Sequence, residues 1–260
     1  MPEITRSQYA VLTGLGFSIV ASMLLLAAVI LRGQARDAEA REEERRRVPV
    51  GAAPSPAGEP LREAPPATVG RRSAEPADLL ALVDADEDAV TGSWTRDGRS
   101  IVSPKLPFAR LQLPYQPPAE YELALTVTRL EGKDSFNVGI TTPGRQACLV
   151  LDGTEEGGLS GLDQVGGKWF RDNETSYKGG IFRPLTPTRV LVSVRKAAFR
   201  VSIDDRLIID WKNPDYTKLS LYREWSVWTR RAIFIGSHES SFRIDEIRVS
   251  PLGSEGYLAR

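Results

Sequence analysis

Between Arg6 and Arg32 the chain carries no charged side chain, and from Tyr9 to Leu31 it is built mainly of Leu, Val, Ile and Ala. A helix over residues 9–31, rising ~1.5 Å per residue, is about 35 Å long, enough to cross a hydrocarbon core of ~30 Å with some tilt. Only a structure that satisfies its own backbone groups can cross in this way, and for a single segment that means a helix. The run is longer than the ~7–15 apolar residues of a signal-peptide core, and Gly33-Gln34-Ala35 makes a poor cleavage site. The sequence therefore predicts a retained, single-pass anchor in a cell membrane, with the lipid bilayer as its partner and residues 1–8 as a short tail before it. Gly14, Ser18 and Ser22 form a small-residue stripe along this helix, a weak basis for helix–helix self-association.

Two contrasting stretches follow. Residues 32–47 read as a charged helical stalk, with Asp37–Arg41, Glu42–Arg46 and Glu43–Arg47 at the i, i+4 spacing that supports an exposed helix. No apolar heptad accompanies them, so a coiled coil is not indicated. Residues 48–76 hold Pro49, Pro54, Pro56, Pro60, Pro65, Pro66 and Pro76 among Ala, Gly, Ser and Glu. Proline removes backbone donors, and the apolar content is too low to offset the entropy of ordering, so 32–76 reads as stalk and linker. The arginines after the anchor place the C-terminal side in the cytoplasm by the positive-inside rule. A proline-rich tether and the glycan role argued below favour the outer side, and the balance tips to an extracytoplasmic domain.

From residue 77 the hydrophobic period changes. Asp78 reads as the cap of a short helix over 79–83. Beyond it, residues 121–130 (YELALTVTRL) alternate apolar and polar side chains as a half-buried strand does. Further strands are expected at 93–96, 100–103, 110–113, 135–141, 146–151, 189–196, 199–203, 207–211, 232–235 and 241–249. Pro143-Gly144 and Asp204-Asp205 mark hairpin turns. Residues 152–187 form a long irregular excursion rich in glycine. So many short strands with frequent turns, and almost no helix, predict an all-β domain over 77–252: an antiparallel two-sheet jelly-roll sandwich, with 253–260 as a tail. About 180 residues are enough to bury a core without staples.

Charge and cysteine usage exclude several functions. The chain has 34 basic and 34 acidic residues, and residues 77–260 alone are close to neutral, so nucleic acid is not an expected partner. Cys148, the sole cysteine, sits in the apolar run ACLVL and reads as a buried structural thiol. Neither a thiolate metal site nor any cofactor is expected. Asp84, Asp86 and Asp88 resemble the start of a calcium loop, but Ala89 and Thr95 stand where it needs Gly and a carboxylate, so a solvated acidic turn is the reading. His238 has no second histidine or serine elbow nearby and reads as a surface or loop residue.

The excursion 161–180, GLDQVGGKWFRDNETSYKGG, joins an aromatic pair to planar polar groups. Sugar recognition needs a flat apolar face for the ring and planar partners for the hydroxyls, and loops tend to carry such sites. Candidate carbohydrate-binding residues are Asp163, Trp169, Arg171, Asp172, Asn173 and Glu174. Trp225 and Trp228, three residues apart in a later loop, are added as rings that could line an open face, while Trp211 reads as core.

The strings GSWTRDGRSIVSP, ARLQLPY, YELALTVTRLEG, VSVRKAAFRVSIDDRLIIDW and IFIGSHESSFRIDEIRVSP together resemble the concanavalin A-like lectin/glucanase superfamily. Within it, residues 78–252 resemble bacterial domains described as 3-keto-disaccharide hydrolase-like or laminarinase-related. The resemblance implies two curved antiparallel sheets with carbohydrate bound on or near a concave face. Laminarinase-type enzymes also carry E-x-D-x-E or E-x-D-x-x-E, which sets two carboxylates ~5–5.5 Å apart. That pattern is missing, and Asp245 and Glu246, being adjacent on a strand, are expected on opposite faces. No catalytic residue carries over. The expected function is a membrane-anchored, non-catalytic module that binds a carbohydrate or glycan-bearing partner; the alternatives are a glycoside hydrolase or lyase with an unrecognised carboxylate pair such as Asp172 and Glu174, and a protein-binding module.

Overall fold

The computed structural model describes residues 72–73, 75–154 and 157–258. The expected anchor at 9–31, the stalk and most of the proline-rich linker lie outside these residues. Among those described, no helix is long and apolar enough to cross a membrane.

Where two sheets were expected, the described residues form four antiparallel sheets, two of them small and three-stranded, and the two large ones face each other. The first runs, edge to edge, through Tyr177–Lys178, Leu159–Leu162, Arg145–Gly153, Phe136–Thr142, Phe234–Ser237, Ala109–Gln112 and Ala89–Thr91. The second runs through Arg206–Lys212, Ala198–Ile203, Pro187–Val194, Tyr121–Glu131, Ser241–Pro251, Ser100–Val102 and Thr95–Asp97, with Ala77–Asp78 also paired to Ser241–Pro251. The expected strands all appear, with ends shifted by one or a few residues. Both expected hairpins form, Asp204 and Asp205 each taking positive φ (47° and 66°) as a two-residue turn requires.

The alternation read in 121–130 is the inward face of the second sheet: Tyr121, Leu123, Leu125 and Val127 are buried. They meet Phe136, Val138, Ile140, Leu149 and Leu151 of the first sheet in one continuous core. Fully burying each such side chain contributes roughly 1.5–3 kcal/mol. The Tyr121 hydroxyl crosses between the sheets, donating to the Thr141 carbonyl (3.1 Å) and accepting from its N–H (3.0 Å). Burial pushes this phenol well above its ordinary value.

The excursion after Gly153 is held by a buried ion pair. Asp152 accepts N–H groups from Gly158 (2.7 Å), Ile181 (3.2 Å) and Phe182 (3.1 Å), and pairs with Arg129 at 3.2 Å. The Arg129 guanidinium lies 5.4 Å from the Phe182 ring centre and 5.3 Å from that of Phe242. Desolvation lowers its pKa and the Asp152 carboxylate opposes that shift.

Several expectations are corrected. Residues 79–83 make one turn rather than a helix: Val83 N–H reaches Leu79, and the chain then bends into the acidic segment. That segment is not simply solvated, because Asp88 is buried and its carboxylate accepts the Asp84 N–H at 2.8 Å. Gly256–Leu258, within the expected tail, pairs with Tyr115–Gln116 on one side and Arg72–Ser73 on the other. Asp245 and Glu246 do not alternate. A bulge between Ile244 and Glu246 shifts the register, so the buried set runs Phe242, Ile244, Ile247, Val249 and both carboxylates fall on the outer side.

Candidate functional site

The first sheet is buried on both faces, as the unbroken burial of 146–153 shows. Its outer face is covered by the chain's own segment 219–232. The seat is prepared by two glycines. A Cβ on Gly139 would sit 1.9 Å from the Phe234 ring, and one on Gly236 would sit 2.9 Å from the Trp225 ring. Their absence lets Phe234 lie flat on the sheet and Trp225 stack over it, centroids 6.4 Å apart and planes 15° apart. Phe108 closes on Trp225 edge-on at 5.1 Å, and Cys148 lies beneath in the same cluster. Burial raises the Cys148 thiol well above its ordinary value, with Asp163 adding to the shift.

Polar side chains on that face fasten the segment's backbone. Gln112 accepts the Thr229 N–H (2.8 Å), Gln146 donates to the Ala232 carbonyl (2.7 Å), and Arg110 donates to the Ser226 carbonyl. His238 is the expected loop residue, partly exposed after the Phe234–Ser237 strand, and packs on this assembly. Its ring meets Phe108 at 4.4 Å, and its Nδ1 accepts the Phe108 N–H at 3.3 Å.

At the margin of the covered face lies a groove of about 1220 Å³. Its walls are the hairpin around Pro143-Gly144, the end of the covering segment, and the residues beside Tyr257. Trp228 lines it and is 60% exposed, the most open aromatic ring among the described residues. Arg145, Arg230 and Arg231 line it too, all exposed, with Glu255 as their acidic counterpart among the lining residues. None of the three arginines forms an ion pair among the described residues. Position is set by the Thr141 hydroxyl, which donates to the Arg231 carbonyl at 3.2 Å, and by the hairpin register that pairs Arg145 with Thr142.

The structure separates the residues proposed from sequence. Of the eight, Trp228 alone lines the groove. Trp225 is 4% exposed and serves packing, stacked on Phe234 and lying over Gly236, where a Cβ would strike its ring. Asn173 is buried and fully engaged within its loop. Its amide donates to the carbonyls of Leu162 (2.7 Å) and Lys168 (3.3 Å), and its oxygen accepts from the Thr175 N–H (2.9 Å) and hydroxyl (2.7 Å). Asp163 is buried against the covering segment, and its Oδ2 has no hydrogen-bond partner. Desolvation pushes this carboxyl up to about 6, against a backbone hydrogen bond from Tyr222 that works the other way. Trp169, Arg171, Asp172 and Glu174 remain exposed on the loop. Trp169 leans edge-on against Tyr222 at 5.2 Å, and Arg171 sits 5.7 Å from the Phe170 ring centre. Trp211, read as core, is half-buried against Tyr216.

Sequence reasoning missed Arg145, Arg230, Arg231 and Tyr257. The string Trp228-Thr229-Arg230-Arg231 carried a local signal, an aromatic ring beside two cations. Arg145 and Tyr257 carried none, since they arrive through strand pairing. Among the described residues no cluster of three or more metal-ligating side chains occurs.

No family model matches the chain, and no curated protein matches it in sequence. Comparison with solved structures finds carbohydrate-binding and carbohydrate-acting β-sandwiches. A transglycosylase in complex with NAG aligns at 10% identity and TM-score 0.48, covering 72% of this chain and 86% of the other. A carbohydrate-binding module from Bacillus subtilis aligns at 10% identity and TM-score 0.42, covering 62% and 92%. A sialidase aligns at 9% identity and TM-score 0.44 over 71% of this chain, which spans about a fifth (19%) of that protein. At these scores the likeness carries no argument about what this chain binds or does.

Proposed function

We propose that the chain is a membrane-anchored module that binds carbohydrate without transforming it, held by residues 9–31 with its β-sandwich outside the cell. The observation that carries the binding role is Trp228: a large flat ring left open at the side of a groove whose other walls offer guanidinium, amide and hydroxyl groups. A pyranose stacks its apolar face on such a ring while its hydroxyls reach the polar walls. The concanavalin A-like resemblance of residues 78–252 supports the same reading, with the groove beside the covered face rather than on it.

Hydrolysis is the second reading; among the described residues the neighbouring carboxylates of the Ser241–Pro251 strand are engaged by other groups. Asp245 pairs with Arg243 (3.0 Å) and accepts from the Ser100 hydroxyl (2.6 Å), while Glu246 pairs with Arg248 (3.4 Å) and accepts from Thr126 (3.1 Å). These are the interactions of a solvated outer sheet face. The carboxyl pushed up to about 6, Asp163, is enclosed under the covering segment.

The test is glycan-array binding by the full chain in neutral phosphatidylcholine nanodiscs, beside the Trp228→Ala variant. Saturable binding lost in the variant is expected. Release of reducing ends from any bound polymer would turn the reading to hydrolysis, and binding to protein baits alone would turn it to a protein-binding module. Protease treatment of intact cells checks the side: shaving of the β-sandwich is expected, and full protection reverses the orientation.

A further inference from the structure

We infer that the groove selects an anionic saccharide, one whose sugar units carry carboxylate or sulfate groups. The inference rests on the reading above that the groove holds a glycan, and it names the chemistry of that glycan.

Three exposed arginines from two separate elements line one groove, and none has an acidic partner among the described residues, unlike several arginines of the second sheet. Arg195 pairs with Glu122 at 2.9 Å, Arg200 with Asp210 at 2.8 Å, and Arg243 with Asp245 at 3.0 Å. Arg145, Arg230 and Arg231 do not, although Glu255 lines the same groove. Their guanidinium groups therefore keep their donors available. They come from two separate elements, a hairpin end and the covering segment, so their meeting is a product of the fold and not of a basic run in the sequence.

The placement suits a charged sugar better than a neutral one. Guanidinium presents a planar fork of donors that matches a carboxylate or sulfate with two parallel hydrogen bonds, and such charge-assisted bonds are roughly twice as strong as neutral ones. A neutral polysaccharide would leave three cationic side chains at the groove with one carboxylate, that of Glu255, to offset them. Trp228 supplies the other half of recognition, since a ring substituted with an anionic group still has an apolar face to stack. Backbone anchoring keeps the arginine-bearing segment in place: Thr141 and Gln146 hold the Arg231 and Ala232 carbonyls. A site built this way distinguishes glycans by charge at fixed positions along the chain.

The experiment uses the full chain in neutral nanodiscs and pairs polymers that differ only in charge: polygalacturonate against its methyl ester, and dextran sulfate against dextran. Binding is measured by surface-immobilised affinity at low and raised salt, for the native chain, for Trp228→Ala, for Arg145→Glu, and for Arg230→Glu with Arg231→Glu. The expected result is preference for at least one charged polymer over its neutral partner, weakened by salt, and at least about a tenfold loss with each charge-reversal variant. The two polymer pairs show whether carboxylate or sulfate is the group taken. Thermal unfolding of the variants is expected to stay at the native midpoint, since these side chains are exposed. Equal binding of charged and neutral chains, with the arginine variants unaffected, would overturn the inference while leaving the glycan reading intact. Loss of all glycan binding in the native chain would instead defeat the reading beneath it. Capture of phosphatidylglycerol vesicles that depends on these arginines, without any glycan preference, would also overturn the inference and assign the groove to lipid headgroups.

Discussion

Trp225 and Trp228 lie three residues apart in one segment and have opposite fates. Trp225 is 4% exposed, stacked on Phe234 over two glycines, while Trp228 is 60% exposed at the edge of a groove. Nothing in their immediate neighbours separates them, because Glu224, Ser226, Val227 and Thr229 are unremarkable company for either. What differs is the surface each one meets. Trp225 settles over Gly236 and against the Phe234 ring, which itself lies over Gly139, and is buried there. Trp228 extends past the sheet margin, where the wall opposite is made of a hairpin and charged side chains. One segment therefore both closes a sheet and lines a site, and the first task positions the second.

The sharpest way to test this contrast is to remove each ring. Trp225→Ala is expected to destabilise the domain by about 3–5 kcal/mol, since it empties a packed slot. Urea unfolding of the full chain checks this, and glycan binding should fall with it as the segment loosens. Cutting the buried ion pair should cost a similar amount at the other end of the sandwich. Asp152→Ala strands the Arg129 charge among Phe182 and Phe242 and frees three backbone donors, for a loss of about 3–5 kcal/mol. If it falls below ~1 kcal/mol, the excursion is not held as described.

Asp163, beneath the same segment, gives a pH signature. Its carboxyl ionises only at about 6 in the folded domain, against 3.8 ordinarily. Between those values the folded state binds the proton and the unfolded chain does not. The stability it contributes is therefore complete below about 4 and is lost as pH rises through about 6. Asp163→Asn, a neutral isostere, should flatten that decline and raise stability near neutral pH by on the order of 2 kcal/mol. Unfolding midpoints measured across this window read the effect, and a parallel decline in native and variant would count against it. Gly236→Ala should cost about 1–3 kcal/mol through clashes with the Ala109 carbonyl and the Trp225 ring, with Trp225 fluorescence shifting toward that of an exposed indole. Smallest of all in stability, Trp228→Ala should change it by less than ~0.5 kcal/mol while abolishing glycan binding, which completes the contrast.

How legible these features were in the chain follows from the range of the forces involved. The strands of the second sheet could be read from period alone, since Tyr121, Leu123, Leu125 and Val127 face a core that needs apolar groups at every second position. Turns at Pro143-Gly144 and Asp204-Asp205 were equally local, being set by backbone conformations that those residues tolerate. The first sheet was harder to interpret. With both faces buried, residues 146–153 lose the alternation that tells inside from outside, so the covered outer face left no trace in the pattern. The bulge at Ile244–Glu246 is likewise a property of pairing, and it reversed the expected facing of one carboxylate.

By itself, then, the amino-acid order determined an uncharged apolar run at 9–31, a proline-rich stretch at 48–76, and an antiparallel β-sandwich with a buried thiol. These follow from composition and from periods of a few residues. Tertiary structure alone decided which tryptophan is enclosed and which is open, and which arginines share a groove. Arg145 lies far from Trp228 and Tyr257 along the chain, and strand register together with the seating of Trp225 over Phe234 and Gly236 brings them to one groove. Grooves of this kind depend on where separate segments meet, and no local propensity encodes that.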